Sequence, residues 1–336
     1  MRQSILILIL VVFLTCDVIG LDEYCYATDS EKLQTLRYGT KTAYLVVKGA
    51  MTPKDYQVPS CSPTKMWHMS RHGTRLPTRK NLIKMSQLGE VRDEIVANYK
   101  VRRSQPTSGG LCSDDLNQLQ NWKWNNSITP DHAEALTFQG YEDMFYMAKN
   151  YQNIFPNIYS TSTMLKIMYS GSESYVKDQK VVGNDTLLKP YEYCPLWILE
   201  YDEDIKYFYK AGYGNPLNLN QPCEAVKDML KFLENDSPST PKAAGYFTHS
   251  TMVQMFVSAL GINNDHETMK ADDYPRNANR KYRISKSGPF AANIAAVSYH
   301  CPYDTEPKKV IFFLNQKPVE LDGCKTGRCV YNLFAD

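Results

Sequence analysis

Histidine is scarce in this 336-residue chain, with only six in all. None sits in a Cys-x-x-Cys or Cys/His cluster of the kind that holds zinc, so no resident metal or other cofactor is expected. Charge of one sign is also lacking: 38 Lys and Arg stand against 36 Asp and Glu, a formal net charge of +2. That balance offers nothing to a nucleic acid or an anionic membrane, and any anion site must be local. Internal repeats and low-complexity stretches are absent, which excludes solenoids and arrays. Beyond the first 20 residues no run is long and apolar enough to span a bilayer, and the final residues NLFAD are not a KDEL-like retention signal.

What is present points to export. Residues 1–20, MRQSILILILVVFLTCDVIG, carry a positive Arg2, an apolar core from Ile5 to Leu14 and small or turn-forming residues after it. This is the pattern of a secretory signal peptide, with cleavage expected near Gly20. Loss of Cys16 would leave eight cysteines, an even set that suggests disulfides in an oxidising compartment: Cys25, Cys61, Cys112, Cys194, Cys223, Cys301, Cys324 and Cys329. Spacing alone suggests only Cys324–Cys329. Three N-glycosylation sequons, at Asn125, Asn184 and Asn235, agree with a secreted or secretory-lumen protein.

Along the chain, 63–70 (PTKMWHMS) and 242–248 (KAAGYFT) read as strands, and so do AANIAAVSYH and KKVIFFLN near the end. Helical spacing predicts one helix over 76–100, on Leu82, Ile83, Met85, Leu88 and Val91. Others are predicted over 133–150, with Gly140 as a close-packing point, over 161–176, and from about Ser250 on Met252, Met255, Phe256, Ala259 and Leu260. Ser250 or its neighbour is the expected N-cap. The order predicts an α/β sheet domain built from both chain ends, about 36–110 and 240–320. A helical insertion occupies about 111–239, and the domain as a whole runs from 21 to 336.

Residues 68–78, HMSRHGTRLPT, put Arg71, His72 and Arg75 together at the end of an apolar run. Two cations beside an imidazole are unfavourable unless something strongly anionic lies between them. His249 likewise ends a strand and precedes a helix. Ligands of open α/β sheets lie at the carboxyl ends of strands, and helix N-termini there add donors for anions. If the two strands are neighbours, two histidines and two guanidiniums face one pocket suited to phosphate. One histidine can then act as nucleophile on phosphorus.

The stretch SRHGTRLPT resembles the signature of the histidine acid phosphatases, where the histidine forms a phosphohistidine. LRYGTKTAY (36–44), YFYKAGYGNPLN (207–218) and LNQKPVELDGC (314–324) are similar to motifs of the multiple inositol polyphosphate phosphatase group. The resemblance runs from about Leu36 to Phe334. It implies a histidine-phosphatase α/β fold with a helical cap, His72 as nucleophile, His249 as the second histidine, and Arg71 and Arg75 as phosphate ligands. It also implies a Cys61–Cys301 bridge and a short Cys324–Cys329 bridge. The implied substrates are small phosphorylated molecules: inositol polyphosphates of the phytate type and, by the same resemblance, 2,3-bisphosphoglycerate. No metal, nucleic-acid or membrane partner is implied, and oligomeric state is left open.

The chain departs from that family pattern in three ways. Lys166 stands where the family carries a third arginine, which keeps the charge but loses the bidentate fork. Ser250 and Thr251 follow His249, where the family carries the acid that protonates the leaving alkoxide. The cap is short between about Tyr175 and Trp197. The alternatives are therefore an active inositol polyphosphate phosphatase, a general acid phosphatase with another substrate, or a binding protein that keeps the anion cradle without the chemistry.

Overall fold

The computed structural model describes residues 25–49, 52, 56–101, 110–159, 165–169, 196–321 and 328–330. By contacts the chain forms two compact units. The smaller contains residues up to 33 together with 79–131, and the larger contains 34–78, 132–181 and 196–336.

The smaller unit carries α1 (Arg79–Met85), α2 (Leu88–Val101) and α3 (Ser113–Asn121). The single helix expected over 76–100 is therefore two helices, broken at Ser86-Gln87, where Gln87 N–H bonds Lys84 O in a tighter turn. Asp115 on α3 accepts the backbone N–H groups of Tyr26 and Ala27 at 2.9 and 2.8 Å, and a Cys25–Cys112 disulfide ties the same two segments. This bridge closes a separation of 87 residues and has no signature in spacing. Cys25, Cys112 and Asp115 also lie close enough to suggest metal ligands, but their two sulfurs are bonded to each other.

The larger unit is built on a mixed sheet of β1 (Ser62–Arg71), β2 (Leu165–Tyr169), β3 (Ala243–Thr248), β4 (Asn293–His300), β5 (Lys308–Leu314), β6 (Lys317–Val319) and β7 (Arg328–Val330). The order is β2-β3-β1-β4-β5-β6, with β7 also on β5. β2, β3 and β1 are parallel, whereas β4 and β5 are antiparallel to their neighbours. The strand expectations for 63–70, 242–248 and the two late segments hold. The helix expected over 161–176 does not: 165–169 is the edge strand β2, paired with β3, and the rest of that stretch lies outside the described residues.

Around the sheet lie α4 (Phe138–Ile154), α5 (Leu196–Ala211), α6 (Cys223–Glu234) and α7 (Ser250–Ala259). β1 is buried on both faces, as a central strand should be. Its alternate side chains separate into two cores. Trp67 and Met69 pack with Met229, Leu233, Val253 and Phe256 from α6 and α7. Met66 packs with Met147, Tyr151 and Phe155 at and after α4. Trp67 stacks on Phe256 with centroids 4.9 Å apart and donates its indole N–H to Asp228 at 3.0 Å. Cys61 and Cys301 are bonded, tying the start of β1 to the end of β4. Cys324 lies outside the described residues and Cys329 is described only as part of the β7 backbone. Among the described residues no helix is long and apolar enough to cross a membrane.

Candidate active site

β1 and β3 run side by side in register, with Arg71 opposite Thr248. Their carboxyl ends therefore deliver His72 and His249 to one place. The two imidazole centroids are 5.6 Å apart and nearly perpendicular. The backbone of His72 is held from both neighbours: its N–H donates to Thr248 O at 3.1 Å, and its carbonyl accepts from Ala291 N–H at 3.0 Å. His249 is itself the N-cap residue of α7 and makes no side-chain cap bond, so its ring is left for the site.

The loop after β1 rests on the first turn of α4. Thr137 caps α4 by accepting from Gly140 N–H, and both its own N–H and its hydroxyl donate to Thr74 O, at 2.9 and 3.0 Å. Thr74 Oγ1 donates to the buried Asp143 at 3.2 Å. Gly73 and Gly140 face each other with no room for a side chain: an added Cβ on Gly73 would lie 2.1 Å from Gly140 O, and one on Gly140 would lie 2.0 Å from Thr74 O. The close packing expected at Gly140 is thus what seats the His72 loop.

His72 Nδ1 lies 2.9 Å from Gly73 O. A carbonyl only accepts, so Nδ1 carries the proton and Nε2 presents its lone pair. Burial first, and then Arg71, Arg75 and His249, hold the imidazole down to about 4, against an opposing pull from the Gly73 carbonyl. His72 is therefore neutral, with an unprotonated Nε2 able to act as a nucleophile, through most of the acid range. Arg75 Nε donates to that nitrogen at a long 3.3 Å.

The two arginines are held differently. Arg71 is buried, its guanidinium 4.4 Å over the Phe290 ring. Its Nη1 donates to Thr40 O at 2.6 Å and to Gly288 O at 2.9 Å, whereas Nε is buried without a partner among the described residues. Thr40 is fixed in turn by Glu203 on α5, which accepts its N–H at 3.1 Å and its hydroxyl at 2.6 Å. Arg75 is half-buried. Its Nη1 donates to Leu76 O at 3.1 Å and lies 3.3 Å from the carboxylate of Glu134.

The structure thus brings together His72, His249, Arg71 and Arg75. It does not bring Lys166 to the strand ends: that residue stands in register with Ala244 on β3, itself opposite Trp67, four positions before Arg71. Thr40, Gly288 and Glu134 were not singled out from the sequence. Two of them act through backbone carbonyls, which carry no residue-type signal.

The sequence model of the histidine phosphatase superfamily (branch 2) matches residues 113–315, a stretch that includes His249. A multiple inositol polyphosphate phosphatase 1 from Drosophila melanogaster is 33% identical, across 97% of this chain and 89% of its own length. That alignment spans 419 positions, 83 more than the 336 residues of the chain, so the relative carries internal segments this chain lacks. Among solved structures, a phytase from D. castellii matches with a TM-score of 0.61 at 13% identity, over 94% of this chain and 88% of that one. The apo form of the Bifidobacterium longum multiple inositol polyphosphate phosphatase matches with a TM-score of 0.52 at 12% identity, over 86% and 92%. At such identities the structural likeness speaks for the fold alone. Fold, matched stretch and full-length relative agree, and the chain belongs to branch 2 of the histidine phosphatase superfamily.

Proposed function

We propose that this protein is a phosphomonoesterase of inositol polyphosphates that works through a phosphohistidine on His72. The observation that carries the reading is the His72–His249 pair between two guanidiniums, with Arg71 Nε buried and unpartnered. A buried donor without a partner is costly, and a phosphate oxygen is a fitting acceptor. Arg71, Arg75 and His249 hold the phosphoryl oxygens. Nε2 of His72 attacks in line, and water then hydrolyses the phosphohistidine. The D. melanogaster relative is named for inositol polyphosphates, which supports that substrate class here.

The protein is read as secreted. The N-terminal apolar run, the two disulfides and the exposure of the sequon residues Asn125 and Asn235 support this. Asn184 lies outside the described residues. A second reading, an anion-binding protein without turnover, is favoured by Ser250 and Thr251 after His249. Acid-quench trapping with labelled substrate separates the two. Label on wild type that is lost in His72→Ala supports the enzyme, and no label with any phosphomonoester refutes it.

A further inference from the structure

An alkoxide leaving group needs a proton as its P–O bond breaks, and the residues after His249 in α7 are a serine and a threonine. Among the described residues, three carboxylates touch the residues that build the site. Asp143 is buried, and accepts from Thr74 Oγ1 and from Gln139. Glu203 spends one oxygen on the Thr40 N–H and the other on its hydroxyl. Glu134 differs from both. Its side chain is 59% exposed, and it reaches the site through Arg75.

The position of Glu134 is specific. Arg75 touches His72 Nε2 with its Nε and Glu134 Oε1 with its Nη1, each at 3.3 Å. One guanidinium therefore spans the nucleophile and the carboxylate. A phosphoryl group gripped by that guanidinium would neighbour both, and in-line transfer sends the leaving oxygen away from Nε2. Glu134 also has φ of +64°, a left-handed conformation that residues with side chains rarely adopt. Its N–H donates to Pro77 O at 3.1 Å, Leu76 N–H donates to Ala135 O at 2.9 Å, and Arg75 bridges Leu136. The short bridge next to the nucleophile loop thus holds a glutamate where a turn would ordinarily favour glycine.

We infer that Glu134 is the proton donor to the leaving group in this chain. The inference rests on the phosphohistidine reading of the site. In the first step His72 Nε2 forms a bond to phosphorus and the ester P–O bond breaks. Its electron pair stays on oxygen, which takes the proton of the Glu134 carboxyl; the products are the free alcohol, the Glu134 carboxylate and phosphohistidine. In the second step water attacks phosphorus and gives a proton to that carboxylate. The P–N electron pair returns to Nε2, and phosphate leaves. The proton that Glu134 gives up in the first step thus returns to it from water in the second.

The test uses the full mature chain with Glu134→Gln, which keeps shape and backbone but carries no transferable proton. Single-turnover release of the alcohol product is measured for p-nitrophenyl phosphate, whose phenolate leaves without protonation, and for an inositol phosphate, whose alkoxide does not. Positioned acid catalysis contributes about 10²–10⁴ in rate. The expected result is a loss of that order on the alkyl ester, at least tenfold greater than the loss on the aryl ester, with partial recovery in Glu134→Asp. A residue that merely braced Arg75 would lower both rates together. Equal losses, or no loss on the alkyl ester, overturn the inference while wild-type phosphohistidine formation leaves the underlying reading standing. Absence of any His72 phosphoenzyme in wild type removes both.

Discussion

Gly140→Ala should cripple the enzyme through a residue that touches no substrate. The added methyl would lie 2.0 Å from Thr74 O and 2.6 Å from Thr74 N, where ordinary contact begins at 3.4 Å. The loop and α4 must part by about 1.4 Å at that point. Rotation cannot relieve a Cβ, and the atoms it meets are backbone. Thr74 O is also the acceptor for both Thr137 donors, so the same displacement loosens the cap of α4 and the seat of His72. Overpacking of this kind costs about 1–3 kcal/mol in stability, and a displacement of about 1 Å can cost ~10²-fold in catalysis. We expect kcat on p-nitrophenyl phosphate to fall by about that factor, with a lowered but measurable urea midpoint. Gly89→Ala is the control: nothing lies within 4 Å of its added Cβ, and in the helix α2 it should add about 0.5–1 kcal/mol. Wild-type kcat and stability in Gly140→Ala would refute the claim that this contact seats the nucleophile loop.

Two further perturbations act on stability. His68 on β1 is buried with Nε2 unpartnered, and burial holds its imidazole down to about 4. The unfolded chain binds its proton at the ordinary 6.5, so this contribution is complete above about pH 6.5 and is lost as pH falls towards 4, amounting to about 3 kcal/mol. The difference in unfolding free energy between pH 7 and pH 4.5 should shrink in His68→Phe by about the His68 share, with that of His72 remaining, and an unchanged pH dependence would count against the reading. Replacing Cys61 and Cys301 by serine opens a loop with a separation of 240 residues. The chain-entropy model gives a loss of about 5–6 kcal/mol, and an equilibrium unfolding free energy within about 1 kcal/mol of wild type would show that the bridge contributes little.

Much of the sheet was legible because β1, β4 and β5 are buried along most of their length and β3 at its start, each bounded by turn residues or charge. The parallel pairing of β1 with β3 meets the condition that their matching strand–histidine–helix contexts set for a shared pocket. β2 was misread because Met164, Leu165, Ile167 and Met168 suit a helical stripe as well as a strand. What decides for strand is pairing with β3, a partner almost eighty residues away that local spacing does not report. The break between α1 and α2 is a local matter, yet the apolar spacing runs across it without interruption. The N-cap expected at Ser250 or its neighbour falls on the neighbour, His249, because the strand ends at Thr248.

The candidate site was legible where it consists of side chains in a motif, and illegible where backbone or a lone loop residue does the work. Arg71 shows why. Burial pushes its guanidinium down to about 10, and its fork is aimed by two carbonyls, those of Thr40 and Gly288, from segments 31 residues before it and 217 after. Arg75 is the reverse case, half-exposed and engaged by His72 and Glu134 in the substrate-free state. Under the proposed function an arriving phosphate would meet one rigid donor whose Nε has no partner among the described residues and one donor that must exchange partners. The rigid guanidinium supplies the prearranged field that lowers the transition state. The exchanging one gives up Glu134 when phosphate takes its place, which leaves that carboxyl group unpaired beside the site, as the proton-donor role proposed for it requires.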